Sequence, residues 1–95
     1  MITTIVLIKC DPKEIPHCAT RLAGIDGVSE VYSVSGEWDL VAIVRVQNHE
    51  DLARVIPGGV GKVAGVERTE TLIAFQVYSK HDLESMFSVG FEDEV

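Results

Sequence analysis

The side chains best suited to bind a metal or attack a substrate are His17, His49, His81, Cys10 and Cys18. No pair of them shows the short, repeated spacing of zinc ligands. The two cysteines are separated by seven residues, which fits neither a CxxC pair nor the disulfide framework of a small secreted protein. We therefore expect no metal site, no cofactor and two buried thiols in a reducing cytoplasm, with a Cys10–Cys18 disulfide as the alternative.

A glycine-rich segment at 57–62, PGGVGK, has the composition of a phosphate-binding loop. It fails the Walker pattern, because Ile56 stands where the first glycine is required and Val63 where serine or threonine is required. Nothing else in the chain matches a nucleophile elbow or another catalytic signature. The sequence thus predicts no catalytic residues and a protein that is not an enzyme.

Charge is distributed unevenly along the 95 residues, which carry a net −7. Residues 81–95 hold five acidic residues and no lysine or arginine, so residues 1–80 carry only −2, from 8 basic and 10 acidic residues. Without a basic stripe, direct nucleic-acid binding is not expected. No apolar run approaches the roughly 18 residues of a membrane span, and the first residues lack the features of a signal peptide. We expect a cytoplasmic protein that binds no membrane.

Hydrophobic patterning predicts four strands, at 2–9, 28–35, 38–46 and 66–79. A first helix begins at the capping segment 11–14, and its inward face is Ile15, Cys18, Ala19 and Leu22. A second helix begins after Asn48, and we expect a break at 57–59. A tight connection at Gly36-Glu37 joins the second and third strands.

This element order gives an α+β fold of the ferredoxin-like βαββαβ type over residues 1–80. Right-handed crossovers place both helices on one face of a four-stranded antiparallel sheet. Residues 81–95 form an acidic C-terminal tail with a short amphipathic turn at Leu83, Met86 and Phe87.

The third and fourth strands are apolar on both faces. In the third, Val41 and Ile43 alternate with Leu40, Ala42 and Val44, and in the fourth, Leu72 and Ala74 alternate with Ile73, Phe75 and Val77. A strand that is apolar on both faces needs cover on both. The two helices cover only one face, so we expect the chain to dimerise through the other.

Two segments at the right separation resemble the Lrp/AsnC family of transcriptional regulators. The first is VSEVYSVSGEWD at 28–39, an apolar strand followed by Ser-Gly, two further residues and Asp. The second is AGVERTET at 64–71, which is similar to the family's Gly-Val-x-x-Thr-x-Thr. The match runs in register through residues 28–80, and the first strand and helix agree in pattern.

The resemblance implies a domain that dimerises through its sheets, assembles dimers into rings and binds an amino acid or related small effector between dimers. The matched positions are Gly36, Asp39, Thr69 and Thr71, with Trp38 and Tyr32 as neighbouring candidates. Asp39 offers an acceptor for an ammonium group, and the threonine hydroxyls and turn N–H groups offer donors to a carboxylate.

Five of these six residues also have a purely structural interpretation. Gly36 suits turn geometry, Asp39 can bond turn amides, the two threonines are ordinary strand residues, and Trp38 suits interface packing.

The chain departs from the family in two respects. The family's N-terminal helix-turn-helix domain has no counterpart in these residues, so we expect a stand-alone effector-binding and oligomerisation module. The break at 57–59 is atypical of the second helix.

Two other functions remain open. One is a small dimeric enzyme of the cofactor-free oxygenase or isomerase type, with His17, His49 or Asp39 as acid–base candidates. The other is a ligand-free structural module that co-assembles with full-length Lrp/AsnC regulators.

Overall fold

A computed structural model of the chain describes residues 1–80. Four strands and two helices follow one another in the predicted order: β1 Ile2–Cys10, α1 Ile15–Ala23, β2 Val28–Ser33, β3 Leu40–Val46, α2 His49–Val55 and β4 Val66–Ile73. Short 3-10 turns at Pro12–Glu14 and Val60–Lys62 precede α1 and β4. The strands form one antiparallel sheet in the order β2-β3-β1-β4. The ferredoxin-like βαββαβ fold is confirmed.

The core lies between the helices and one face of the sheet. Alternate residues of β1 and β3 point into it, as the period of two requires. Each fully buried aliphatic side chain of this kind contributes roughly 1.5–3 kcal/mol relative to exposure. The fully buried apolar residues are Val6, Ile8, Cys10, Cys18, Leu22, Leu40, Ala42, Val44, Val55 and Val60.

The opposite face of the sheet, here called the outer face, is also apolar. Ile5 pairs with Ile43 on β3 and with Leu72 on β4, and Leu7 pairs with Val41. Leu72 is 46% exposed and the other four side chains are half-buried. The helices pack on the other side, so this face matches the two-sided pattern predicted from the sequence.

The two helices begin and end as their terminal residues dictate. The Asp11 carboxylate accepts a hydrogen bond from the Lys13 N–H at 3.0 Å, which caps the 3-10 turn before α1. At α2, the Asn48 N–H donates to the Asp51 carboxylate at 3.3 Å. The predicted break is confirmed, because α2 ends at Val55 and the following residues form turns.

The fourth strand is shorter than the predicted 66–79, and the reason is the length of its partner. The Ala74 N–H donates to the Thr3 carbonyl at 3.0 Å, close to the first residue of β1. Beyond Ala74 no strand of the described chain remains to pair with, so β4 ends at Ile73. Phe75 is fully exposed there.

The amphipathic turn predicted at Leu83, Met86 and Phe87 lies outside the described residues. Within residues 1–80, no helix has the length and apolar character needed to cross a membrane.

The close approach between α2 and the start of β2 makes Gly27 the residue most sensitive to substitution in this region. Gly27 has φ +107°, and a Cβ there would lie 2.6 Å from Val55 Cγ2. We expect Gly27→Ala to lower the free energy of unfolding by about 3 kcal/mol, from backbone strain plus overpacking.

Gly36 is the matched control, because its φ is +105° but a Cβ would meet nothing within 4 Å. Gly36→Ala should therefore cost only about 1–2 kcal/mol of backbone strain. Urea unfolding of both variants measures the difference. Equal losses would show that Val55 moves aside and that the contact carries no penalty.

Candidate functional site

Residues 34–39, here called the β2–β3 loop, are fixed to the neighbouring strand. The Val34 N–H donates to the Asp39 carbonyl at 3.1 Å, which closes the loop. The Asp39 N–H donates to the Ile8 carbonyl of β1 at 3.0 Å. The predicted two-residue Gly36-Glu37 connection is thus wrong, since six residues separate the strands. The hydrogen bond from Asp39 to β1 holds these residues outside a tight hairpin.

The Asp39 carboxylate completes this attachment. Its Oδ2 accepts a hydrogen bond from the Cys10 N–H at 2.9 Å, where the β1–β4 register shifts between Lys9 and Cys10. The Lys9 Nζ lies 3.8 Å from the same oxygen. One of the two interpretations of Asp39, bonding to backbone amides, is therefore observed, although the amide belongs to β1 and not to the turn.

A second set of contacts ties the β2–β3 loop to both neighbouring strands. The Lys9 Nζ donates to the Glu37 carbonyl at 2.8 Å. The Arg68 Nη2 of β4 lies 3.3 Å from Glu37 Oε1, and the Arg68 guanidinium lies 4.7 Å from the centre of the Trp38 ring. Arg68 is 60% and Glu37 75% exposed, so their ion pair contributes at most about 1 kcal/mol. Its main effect is on geometry, since it sets Trp38 against β4.

A pocket of about 410 Å³ lies between the β2–β3 loop and β4, and we call it the edge pocket. Its lining residues are Glu37, Trp38, Arg68, Thr69 and Glu70. Successive side chains of a strand point to opposite faces of the sheet. Arg68 and Glu70 pair with Lys9 and Leu7 and so share the outer face, whereas Thr69 is on the opposite alternation of β4. The edge pocket thus lies between the β2–β3 loop and β4, one of the two edge strands of the sheet.

The six candidate ligand-binding residues are only partly brought together. Trp38 and Thr69 line the edge pocket. Gly36 and Asp39 belong to the same loop but lie outside the lining. Thr71 shares a face of β4 with Thr69, one alternation further along, and also lies outside it.

Tyr32 lies at the opposite edge of the sheet. It is on β2, which β3 and β1 separate from β4. Its hydroxyl donates to the Glu30 carboxylate, which also accepts from Arg45 at 3.1 Å. The Tyr32 hydrogen bond, followed by the Arg45 contact, lowers the pKa of Glu30 below its usual range. The structure thus gives Tyr32 a surface polar contact away from the edge pocket.

Three charged residues of the edge pocket, Glu37, Arg68 and Glu70, were absent from the candidates. They flank the matched motif positions, and charged residues in such places are usually solvent-exposed. Only the strand register could have identified them, since it places β4 beside the loop.

The residues suited to catalysis or metal binding form no cluster of three in the described part of the chain. Within residues 1–80, no group of three or more His, Cys, Asp or Glu side chains could hold a metal ion. His17 and His49 are exposed, and Asp39 is on the β2–β3 loop. Among residues 1–80, the polar residue buried in the core is Thr4, which is not an acid–base candidate. None of the three acid–base candidates therefore lies between the sheet and the helices.

Comparison with known proteins shows the family to which the chain is related. The family model of the Lrp/AsnC ligand binding domain matches residues 3–83. The chain belongs to this family. An uncharacterized HTH-type transcriptional regulator of Pyrococcus horikoshii is 37% identical over 76 residues, which cover 77% of this chain and 51% of the regulator. The chain thus spans about half the length of the curated relatives it matches.

Solved structures agree with the fold. The crystal structure of a protein from Thermus thermophilus is 44% identical, with a TM-score of 0.79, and the match covers 84% of this chain and 100% of that one. A transcriptional regulator of Neisseria meningitidis, solved in complex with L-Met, has a TM-score of 0.73 at 10% identity, over 82% of this chain and 52% of the regulator. At that identity the likeness shows the fold alone.

Burial makes the Cys10 thiol, next to the site, resistant to ionisation. Cys10 and Cys18 are both free and buried. Burial, followed by the hydrogen bond with Cys18, raises the pKa of Cys10 from 9.0 to about 12. The folded pKa lies above the unfolded one, so the stabilisation is complete below pH 9 and is lost as the pH rises toward 12.

We expect the free energy of unfolding to fall between pH 9 and 11 more steeply in the natural chain than in Cys10→Ala. The limiting slope for one thiol is about 1.4 kcal/mol per pH unit. Denaturant unfolding at several pH values measures both slopes, and the difference removes the contribution of lysines and tyrosines. Parallel curves would contradict the raised pKa.

Proposed function

We propose that this chain is an effector-binding and oligomerisation module of the Lrp/AsnC type, which senses an amino acid or a similar small metabolite and modulates transcriptional regulators. The observation that carries the proposal is the edge pocket. It is built by the two segments that carry the family resemblance, 28–39 and 64–71. Membership of a ligand-binding-domain family supports the same conclusion.

The chemistry of the edge pocket suits a zwitterionic ligand. Glu37 and Glu70 are acceptors for an ammonium group, and Arg68 and the Thr69 hydroxyl are donors to a carboxylate. Trp38 provides an aromatic surface for a side chain. The L-Met complex of the Neisseria meningitidis regulator supports the view that this fold can accommodate an amino acid. In this proposal Asp39 acts through the β2–β3 loop, because its carboxylate already bonds β1.

Oligomerisation is the second part of the proposal. The outer face carries Ile5, Leu7, Val41, Ile43 and Leu72 across three strands. A contiguous apolar surface of this kind is characteristic of protein–protein contacts. We propose that two copies pack through their outer faces and that dimers associate further into a ring. Full-length Lrp/AsnC regulators are a further proposed partner, since the curated relatives are HTH-type transcriptional regulators.

The dimer predicts a specific disruptive substitution. Ile43→Glu places a charge at the centre of the outer face, and burying an unpaired carboxylate costs several kcal/mol. We expect this variant to be monomeric in size-exclusion chromatography with light scattering. Ala23→Glu is the control, because Ala23 is exposed at the end of α1 in the helical layer. If Ile43→Glu retains the molecular mass of the natural chain, the outer face is not the dimer interface.

Effector binding is tested by native mass spectrometry of the 95-residue chain, titrated with the common amino acids. We expect a mass increase, a change of oligomer order, or both with at least one of them. If none of the amino acids changes the mass or the oligomer order, the proposal is contradicted.

A pair of threonine variants then assigns the ligand to the edge pocket. Thr69→Val removes the hydroxyl of a lining residue and should weaken binding about tenfold, the loss of one hydrogen bond worth about 1.4 kcal/mol. Thr71→Val makes the same change on the same face of β4 outside the lining, so binding should persist. Equal effects of the two substitutions would place the ligand elsewhere.

A further inference from the structure

The edge pocket carries an excess of negative charge. Glu37 and Glu70 contribute two negative charges to the lining and Arg68 one positive charge, which leaves a formal −1. Arg68 is already paired with Glu37 at 3.3 Å and lies over Trp38. Lys9, beside Arg68 across the β1–β4 pair, is engaged with the Glu37 carbonyl and with Asp39. Within residues 1–80, Glu70 is thus the charged group of the pocket whose carboxylate has no cationic partner.

The walls of the edge pocket offer little to an aliphatic side chain. Of the five lining residues, Trp38 is the only large apolar one, and the others are charged or carry a hydroxyl. The Arg68 guanidinium already lies 4.7 Å from the centre of the Trp38 ring, so part of this one apolar surface is in contact with a charged group. A branched aliphatic side chain would gain little by leaving water here, because such gains scale with the apolar area buried.

We propose that the edge pocket selects an amino acid with a basic side chain, such as lysine or arginine, over neutral aliphatic amino acids. A basic amino acid carries a net +1 into a pocket with a net −1, whereas a neutral zwitterion brings no net charge. Glu70 takes the second cationic group of the ligand and is the residue that determines specificity. This inference rests on the proposed effector-binding function and narrows its ligand class.

Isothermal titration calorimetry of the full chain with L-lysine, L-arginine, L-leucine and L-methionine tests the preference. We expect lysine or arginine to bind about tenfold tighter than leucine or methionine, and the difference to shrink at high salt because the charges are exposed. Trp38 is the only tryptophan of the chain, so its fluorescence reports whether the ligand occupies the edge pocket.

Two matched variants assign the preference to Glu70. Glu70→Gln removes the unpaired carboxylate and should reduce the preference to about threefold or less. Glu67→Gln makes the same change on the same strand at an exposed residue outside the lining, and the preference should remain. Both positions are exposed, so neither substitution should affect folding.

The outcomes distinguish a failure of this inference from a failure of the proposed effector-binding function. If leucine or methionine binds as tightly as lysine and arginine, the charge selection is overturned and the effector-binding function stands. If Glu67→Gln and Glu70→Gln reduce the preference equally, the overall charge of the chain selects the ligand, and Glu70 does not determine specificity. If no amino acid binds at all, the proposed function itself fails.

Discussion

The double pairing of β1 is the constraint from which the rest of the arrangement follows. β1 lies between β3 and β4, and its residue Ile8 pairs with Leu40 on one side and with Thr69 on the other. Because Leu40 directly follows the β2–β3 loop, this register brings the loop to the same end of the sheet as the start of β4. Two hydrogen bonds, one donated by the Asp39 N–H to Ile8 and one accepted by its carboxylate from Cys10, then hold the loop there. Without that pairing, Trp38 and Arg68, which are 30 positions apart in the sequence, would not be brought into contact.

Most of the fold could be predicted from local patterns. Period-two alternation in β1 and β3 identified the buried face, and the capping segments identified where both helices begin. The break after α2 followed from the proline and two glycines at 57–59. The ends of β4 and of the β2–β3 connection were predicted wrongly for a shared reason. A strand ends where its partner ends, and a loop takes its length from the contacts it makes, so both depend on pairing that local composition does not contain.

The site was less accessible to sequence reasoning than the fold. Of the residues that the resemblance indicated, Trp38 and Thr69 line the edge pocket. The resemblance could not reveal that the Asp39 carboxylate bonds the Cys10 amide, because that contact depends on the register shift in β1. Nor could it identify Arg68 and Glu70, which line the pocket because the strand register places the start of β4 beside the β2–β3 loop. Tyr32 lies near the motif in sequence, but two strands separate it from the pocket.

The place of β1 in the sheet also determines the order in which the chain can assemble during synthesis. Of the four strands of this sheet, β1 is synthesised first, and its two neighbours follow some 30 and 60 residues later. At translation rates of about 5–20 residues per second, the apolar strand β1 remains unpaired for seconds before its partner strands have been synthesised. The hairpin of β2 and β3 can form early from local contacts, whereas closure of the sheet on β4 must bridge most of the chain. The strand that organises the finished domain is thus the one that remains longest without its full set of backbone hydrogen bonds, and nascent chains are most exposed to mispairing there.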